Sequence, residues 1–211
     1  VGMLNNSIEN AAVTLAAPLL LAFNAVNNLF GVGSSSMMSR ALGKKDYETV
    51  YRSSVFGFYC SVFSGILFSA VYTLLSSRFL AMLGANSETA AATAEYLKWT
   101  VSFGAVPAIL NVVLAYLVRS EGASLHASLG TMSGCILNML LDPIFVLPWG
   151  LDMGAAGAGC ATFISNCAAC IYFFVLLFVK RKSTCVCINP KKFSFRKPIV
   201  FGVFAVGIPA A

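Results

Sequence analysis

Residues Gly122–Leu151 read GASLHASLGTMSGCILNMLLDPIFVLPWGL, and within them Asp142 is the only formally charged side chain. The stretch from Leu129 to Leu147 has the length and apolarity of a membrane-spanning helix, which takes about 20 predominantly apolar residues. A carboxylate in such a run costs roughly 2.5–3.5 kcal/mol on insertion scales, and intramembrane acids mark ion or proton pathways. Asn138 lies one helical turn before Asp142. Gly130, Gly134, Asn138 and Asp142 are each four apart, and successive four-residue steps drift by only about 40°, so all four share one slanted face. Small residues mark close helix approaches in membranes. This face is therefore expected to turn toward packed helices and away from lipid.

The remainder of the chain repeats the pattern of long apolar runs. Of 211 residues, 58% are hydrophobic and 10% charged, against about 25% charged in soluble domains; mean hydropathy is +0.82. No charge occurs from Asn10 to Ser39, Ser53 to Ser77, Trp99 to Val118, Gly122 to Leu141 or Met153 to Val179, nor from Pro198 to Ala211. These gaps predict an all-α polytopic membrane protein. Five complete spans are expected at about 10–36, 53–77, 95–118, 126–148 and 154–179, with a truncated sixth at 198–211.

Charge placement orients the spans. Arg40, Lys44, Lys45 and Arg52 follow the first span, Arg119 follows the third, and seven Lys/Arg lie between Lys180 and Lys197. Only Arg78 and Lys98 fall on the other side. The positive-inside rule makes 40–52, 119–125 and 180–197 cytoplasmic and the amino-terminal end external, as in a multi-pass plasma-membrane protein. The net charge of +6 is thus a topology signal, with anionic-lipid contact expected at Lys180–Lys182. No basic face is interleaved with stacking aromatics, so nucleic acid is not an expected partner. An external start without a basic flank is easiest to explain by a preceding helix. The chain therefore reads as an internal segment of a longer transporter. Residues 1–179 form a partial helical bundle, 180–197 with Asn189-Pro190 form a cytoplasmic linker, and 198–211 begin a second bundle.

Several polar positions are candidates for transport chemistry. Pro143 lacks an amide hydrogen and disrupts the bond to the carbonyl four residues earlier, that of Met139. A freed carbonyl beside a carboxylate and an amide oxygen makes an oxygen cage for a hard cation. Proton binding is the alternative, because removal from water disfavours the charged form of a carboxylate. A third reading leaves Asp142 near interfacial water at its helix end. Thr162 on the fifth span lies at a similar depth and can offer a hydroxyl to the same site, or bond its own helix carbonyl; Ser165 and Asn166 follow it. Asn24, Asn27 and Asn28 in the first span, Asn111 in the third and Asn166 in the fifth are candidate cavity-lining residues or interhelical bonding groups. Pro107 and Pro143 are candidate hinges. His126, at the start of the fourth span, is expected to be interfacial.

Enzyme signatures are missing from the sequence. Gly31-Val-Gly33 lacks the rest of a dinucleotide fingerprint, there is no P-loop, and no paired carboxylates are spaced for hydrolysis. The seven cysteines have no neighbouring His/Cys set for a metal, and Cys185 and Cys187 fall in a reducing compartment. No cofactor is expected, and the economical energy source is an ion gradient.

SSSMMSRALGKKD (residues 34–46), LVRSEGASLHASLGTMSGCILNMLLDPIFV (117–146) and MGAAGAGCATFISN (153–166) together resemble the multidrug and toxic compound extrusion (MATE) family. The resemblance covers essentially the whole chain. It implies that the five spans are family helices two to six, with helix seven truncated, in a twelve-helix, two-lobe fold. Residues 1–179 would then be most of the N-lobe. It further implies export of cationic, amphipathic compounds in exchange for Na+ or H+, by a protein working as a monomer. Asn138 and Asp142 match the family's fifth-helix cation ligands, and Thr162 the sixth-helix one. The family's first-helix acid would precede Val1.

Two other readings compete. A lipid-linked precursor flippase of the same wider superfamily would favour basic residues inside the spans to meet pyrophosphate, and the only one within these bounds is Lys98, at the external edge of the third span. A non-transporting membrane scaffold or truncated product is the reading from a different class.

Overall fold

In hydrocarbon every backbone N–H and C=O must find a partner within its own segment, which makes helices of the apolar runs. A computed structural model describes residues 7–84, 89–147, 150–181 and 183–210, the side chain of Lys192 apart. Its long helices are α1 (Ser7–Gly43), α2 (Tyr47–Met82), α5 (Ser124–Val146) and α6 (Gly154–Val179). Each is long and apolar enough to cross a membrane. The fifth expected span is α3 (Thr89–Leu97), a π-helical stretch (Lys98–Phe103) and α4 (Ala105–Ser120), bent by 53°. A shorter apolar helix, α7 (Lys197–Ala210), follows one 3-10 turn at Pro190–Lys192. The chain is an all-α polytopic membrane protein.

Helix ends differ from the charge gaps in an instructive way. The polar segment expected at 40–52 is almost entirely helical, with only Lys44–Asp46 between α1 and α2. Asp46 starts α2, accepting from the Thr49 amide at 3.1 Å and the Thr49 hydroxyl at 2.6 Å. Those bonds hold its carboxyl below the usual range. Likewise α2 continues through an irregular Leu75 to Met82, past the expected end at Ser77. Charge gaps report where hydrocarbon ends, whereas a helix continues into water until a cap or a breaker stops it.

The bend in the third span lies at Gly104 rather than at Pro107. Pro107 sits in the first turn of α4, where its missing amide hydrogen is harmless. Its ring excludes the carbonyl four residues back, Phe103, so the regular ladder stops there. By contrast Pro143 lies inside α5, which continues to Val146. Beyond it, the amides of Leu151 and Met153 donate to the Ile144 and Phe145 carbonyls at 2.9 Å, closing the α5–α6 hairpin. Val1, the turn expected at Gly84-Ala85-Asn86 beyond Gly84 itself, Trp149 of the hairpin turn, Lys182 and Ala211 lie outside the described residues.

Contacts divide the chain into two compact units. The first comprises Val1–Phe23, Gly65–Ala108 and Ser133–Ala168. Its core joins Ala12, Ala16 and Leu19 of α1, Tyr72 of α2, Tyr96, Leu97 and Val101 of the bent span, and Ala155 of α6. Alanine and glycine permit this closeness: a Cβ at Gly159 would stand 2.9 Å from the Tyr96 carbonyl oxygen and 3.0 Å from Trp99 Cβ.

The second unit comprises Asn24–Ser64, Ile109–Met132 and Ala169–Ala211. Here the basic segment 180–197 is packed rather than free. Glu121, in the turn between α4 and α5, accepts from the Thr184 hydroxyl at 2.8 Å and the Cys185 amide at 2.7 Å. Ser54 bonds both the amide and the carbonyl of Cys187, and the Tyr59 hydroxyl donates to the Ile188 carbonyl. Asn189 caps the 3-10 turn at Lys191, and Phe193 stacks on Phe56. His126 is paired with Lys180, Nε2 to Nζ at 2.7 Å.

Two measurements check this packing. Gly159→Ala in the full-length protein is expected to lose about 1–3 kcal/mol in thermal unfolding, as overpacked sites do. Gly43→Ala, with nothing within 4 Å of the added carbon, should leave stability unchanged. Separately, burial and then the Glu121 carboxylate push the Cys185 thiol up, and the thiolate is the reactive form. Alkylation of Cys185, followed by site-resolved mass spectrometry, is therefore expected to be slow at neutral pH and to accelerate as pH rises. Glu121→Gln should speed it at fixed pH.

Candidate functional site

The site is built in the first unit by side chains from four helical segments. On α5, Gly134 is buried and Asn138 and Asp142 are half-buried, while Ile136, Met139 and Leu140 are exposed. The glycine-to-aspartate face does turn inward, as its four-residue spacing requires. The Asn138 side-chain amide donates toward Asp142 Oδ1 at 3.5 Å and toward Thr162 Oγ1 at 3.4 Å. Both contacts are long, leaving room for closer oxygen partners. The Thr162 hydroxyl itself donates to the Ala158 carbonyl at 2.9 Å. Its proton is thus directed into its own helix, and its lone pairs remain directed toward Asn138.

Asp142 and Thr162 face a cavity of about 440 Å³ whose other walls are Asn10, Val13 and Thr14 of α1, Tyr96 of α3 and Ala158 of α6. Asn10, Thr14 and Tyr96 were not singled out in the sequence. Asn10 and Thr14 are one turn apart at the same end of their span as Asp142, which is the signal that was available. Tyr96 lies at the same end of the third span, but a tyrosine at a span end is ordinary at a membrane interface and carries no specific signal. The chemical content of the cavity is one carboxylate, one amide side chain, two hydroxyl-bearing threonines and one phenol, with Asn138 bonded behind Asp142 and Thr162. All are oxygen donors suited to a hard cation, and none is a nucleophile with a base beside it.

The remaining sequence candidates lie elsewhere. Asn166 belongs to the first unit, one turn beyond Thr162, but is not in the wall of this cavity. Asn24, Asn27, Asn28 and Asn111 belong to the second unit. Asn27 is 2% exposed and Asn24 faces outward. The second unit has its own cavity of about 740 Å³, largely aromatic, with Phe30, Phe56, Tyr59, Phe63, Phe193 and Phe204 in its wall. Among the described residues no group of three or more His, Cys, Asp or Glu is placed to hold a metal ion.

Comparison with known proteins agrees with this architecture. The multidrug export protein MepA of Staphylococcus aureus (strain NCTC 8325 / PS 47) is 36% identical over all 211 residues, which cover 46% of that protein. A multidrug resistance MATE family transporter of the MOP superfamily, solved in an outward-facing conformation, superimposes with a TM-score of 0.90. That match is 30% identical over 97% of this chain and 45% of the other. An inward-facing conformation gives a TM-score of 0.88 over 96% and 45%. The chain thus spans less than half the length of the relatives it matches. The MatE family model matches residues 1–144, which include the Asn138–Asp142 pair. The chain belongs to the MatE family.

Proposed function

We propose that this chain supplies a coupling-cation site, and part of the substrate pathway, in a multidrug efflux antiporter. The observation that carries the reading is that Asp142 and Thr162 face one cavity in an apolar helix bundle, bridged by the Asn138 amide. Asp142 holds the cation, Na+ or H+, Thr162 presents its oxygen beside it, and the Asn138 amide bridges the two. Filling the site stabilises one arrangement of the helices over the other, because a ligand shifts a conformational equilibrium by its differential affinity for the two states. Transporters of this kind bind coupling ions within the bilayer and alternate access around the site.

The exported compound is proposed to be a lipophilic, cationic small molecule. The relative named above is a multidrug export protein, and ring faces such as those in the second unit's cavity attract cations and pack against flat apolar bodies. The basic segments 40–52, 119–125 and 180–197 lie on the cytoplasmic side in this reading. Export therefore runs away from the side where positive charge is concentrated.

In the full-length protein, Asp142→Asn is expected to abolish cation-coupled export while membrane abundance stays at the wild-type level. Normal drug resistance in cells carrying that variant would overturn the proposal. Thr162→Val, which keeps the shape and removes the oxygen, should raise the half-saturating cation concentration about tenfold, equivalent to about 1.4 kcal/mol. Thr162→Ser should stay close to wild type in the same transport assay.

A further inference from the structure

The amino end of α6 is anchored by a carboxylate from α1. Gly154 has φ +55, in the left-handed region that glycine alone enters without strain. A Cβ at this position would lie 2.7 Å from the Glu9 carboxyl carbon and from Oε2. The next residue, Ala155, donates its amide to Glu9 Oε2 at 2.5 Å. The first amides of a helix have no intrahelical acceptor and carry the positive end of its dipole, so a carboxylate is well suited there. This contact joins segments 146 residues apart in the chain, within the first unit.

Its position relative to the Asp142 cavity gives it a second consequence. Asn10, directly after Glu9, is in the cavity wall, and so is Thr14 one turn further along α1. On α6, Ala158 is three residues beyond Ala155 and Thr162 one turn beyond that, and both are in the wall. Glu9 itself is not. It lies in a neighbouring cavity of about 380 Å³ together with Glu95, Met153 and Ala156, where Glu95 pairs with Lys98 at 3.5 Å. The Glu9–Ala155 bond thus clamps two walls of the cation cavity just outside it, without touching its contents.

We propose that Glu9 is a positioning residue for the cation site: its bond to the amino end of α6 sets the spacing between the α1 wall and the Thr162 wall, and through it the affinity for the coupling cation. The inference rests on the proposed cation role of Asp142. Because Glu9 acts through backbone position, the bond matters and the charge does not. Glutamine at this position keeps the accepting oxygen; alanine removes it.

The test uses full-length protein in proteoliposomes exporting a fluorescent lipophilic cation. Sodium is titrated at fixed pH, and pH is titrated without sodium. Glu9→Ala is expected to raise the half-saturating cation concentration about fivefold or more, as loss of a hydrogen bond does, with the maximal rate retained. Glu9→Gln should return it close to wild type. If Glu9→Ala does not assemble, Glu9→Asp, whose shorter arm cannot span the same gap, replaces it in the comparison. A lower maximal rate or lower protein yield with unchanged cation dependence would make the bond merely structural and overturn the proposal. So would a glutamine variant as impaired as alanine. Asp142→Asn run in parallel separates the two readings. If it retains coupled export, both fail; if it loses coupling while the Glu9 variants keep wild-type cation dependence, only the positioning role fails.

Discussion

A carboxylate in a hydrocarbon-spanning helix has to be given polar neighbours, because the alternative is an ion in a medium that does not solvate it. In the first unit that requirement organises four helical segments. Gly134 is buried on the inward face of α5, Asn138 reaches both Asp142 and Thr162, and Asn10, Thr14 and Tyr96 complete the wall. The contacts are long and the space between them is open. The Glu9 carboxylate, by contrast, is closed over by a short bond to the Ala155 amide. The bonds around Asp142 are looser, at 3.4–3.5 Å.

Charge gaps reveal spans reliably because hydrocarbon tolerates so little charge, and all five expected spans have helical counterparts. What the gaps could not reveal were features set by backbone geometry. Helix α1 runs on to Gly43 and α2 begins at Tyr47, since the polar residues between Ser39 and Ser53 are good helix formers in water. Proline position alone suggested a bend at Pro107, but where a proline acts depends on its place within the helix. In the first turn of α4 it moves the break to Gly104; inside α5, Pro143 leaves the helix continuing to Val146.

The site shows the same division. Asp142, Asn138 and Thr162 were legible because an acid in an apolar run, a four-residue spacing and a matched depth are one-dimensional signals. Tyr96 was not, since a tyrosine at a span end is common at any membrane interface. Segment 180–197 is a parallel case in the second unit. Its composition reads as a cytoplasmic linker, and within the second unit Glu121, Ser54 and Tyr59 each engage its backbone. Bonds of that type carry no compositional trace, because any residue's amide or carbonyl can make them.

The π-helical stretch at Lys98–Phe103 has a consequence for which sequences this fold tolerates. Its wider turns close i→i+5 bonds and so accommodate one residue more than an α-helical path would. Deleting a single residue there would let the ladder relax to the α form, and each residue of an α-helix accounts for about 100° of rotation. Everything upstream would turn by that amount relative to α4. Tyr96 would swing out of the cavity wall with its chemistry unaltered. In this stretch the number of residues is therefore constrained as firmly as their identity, and length variation should be rarer there than substitution.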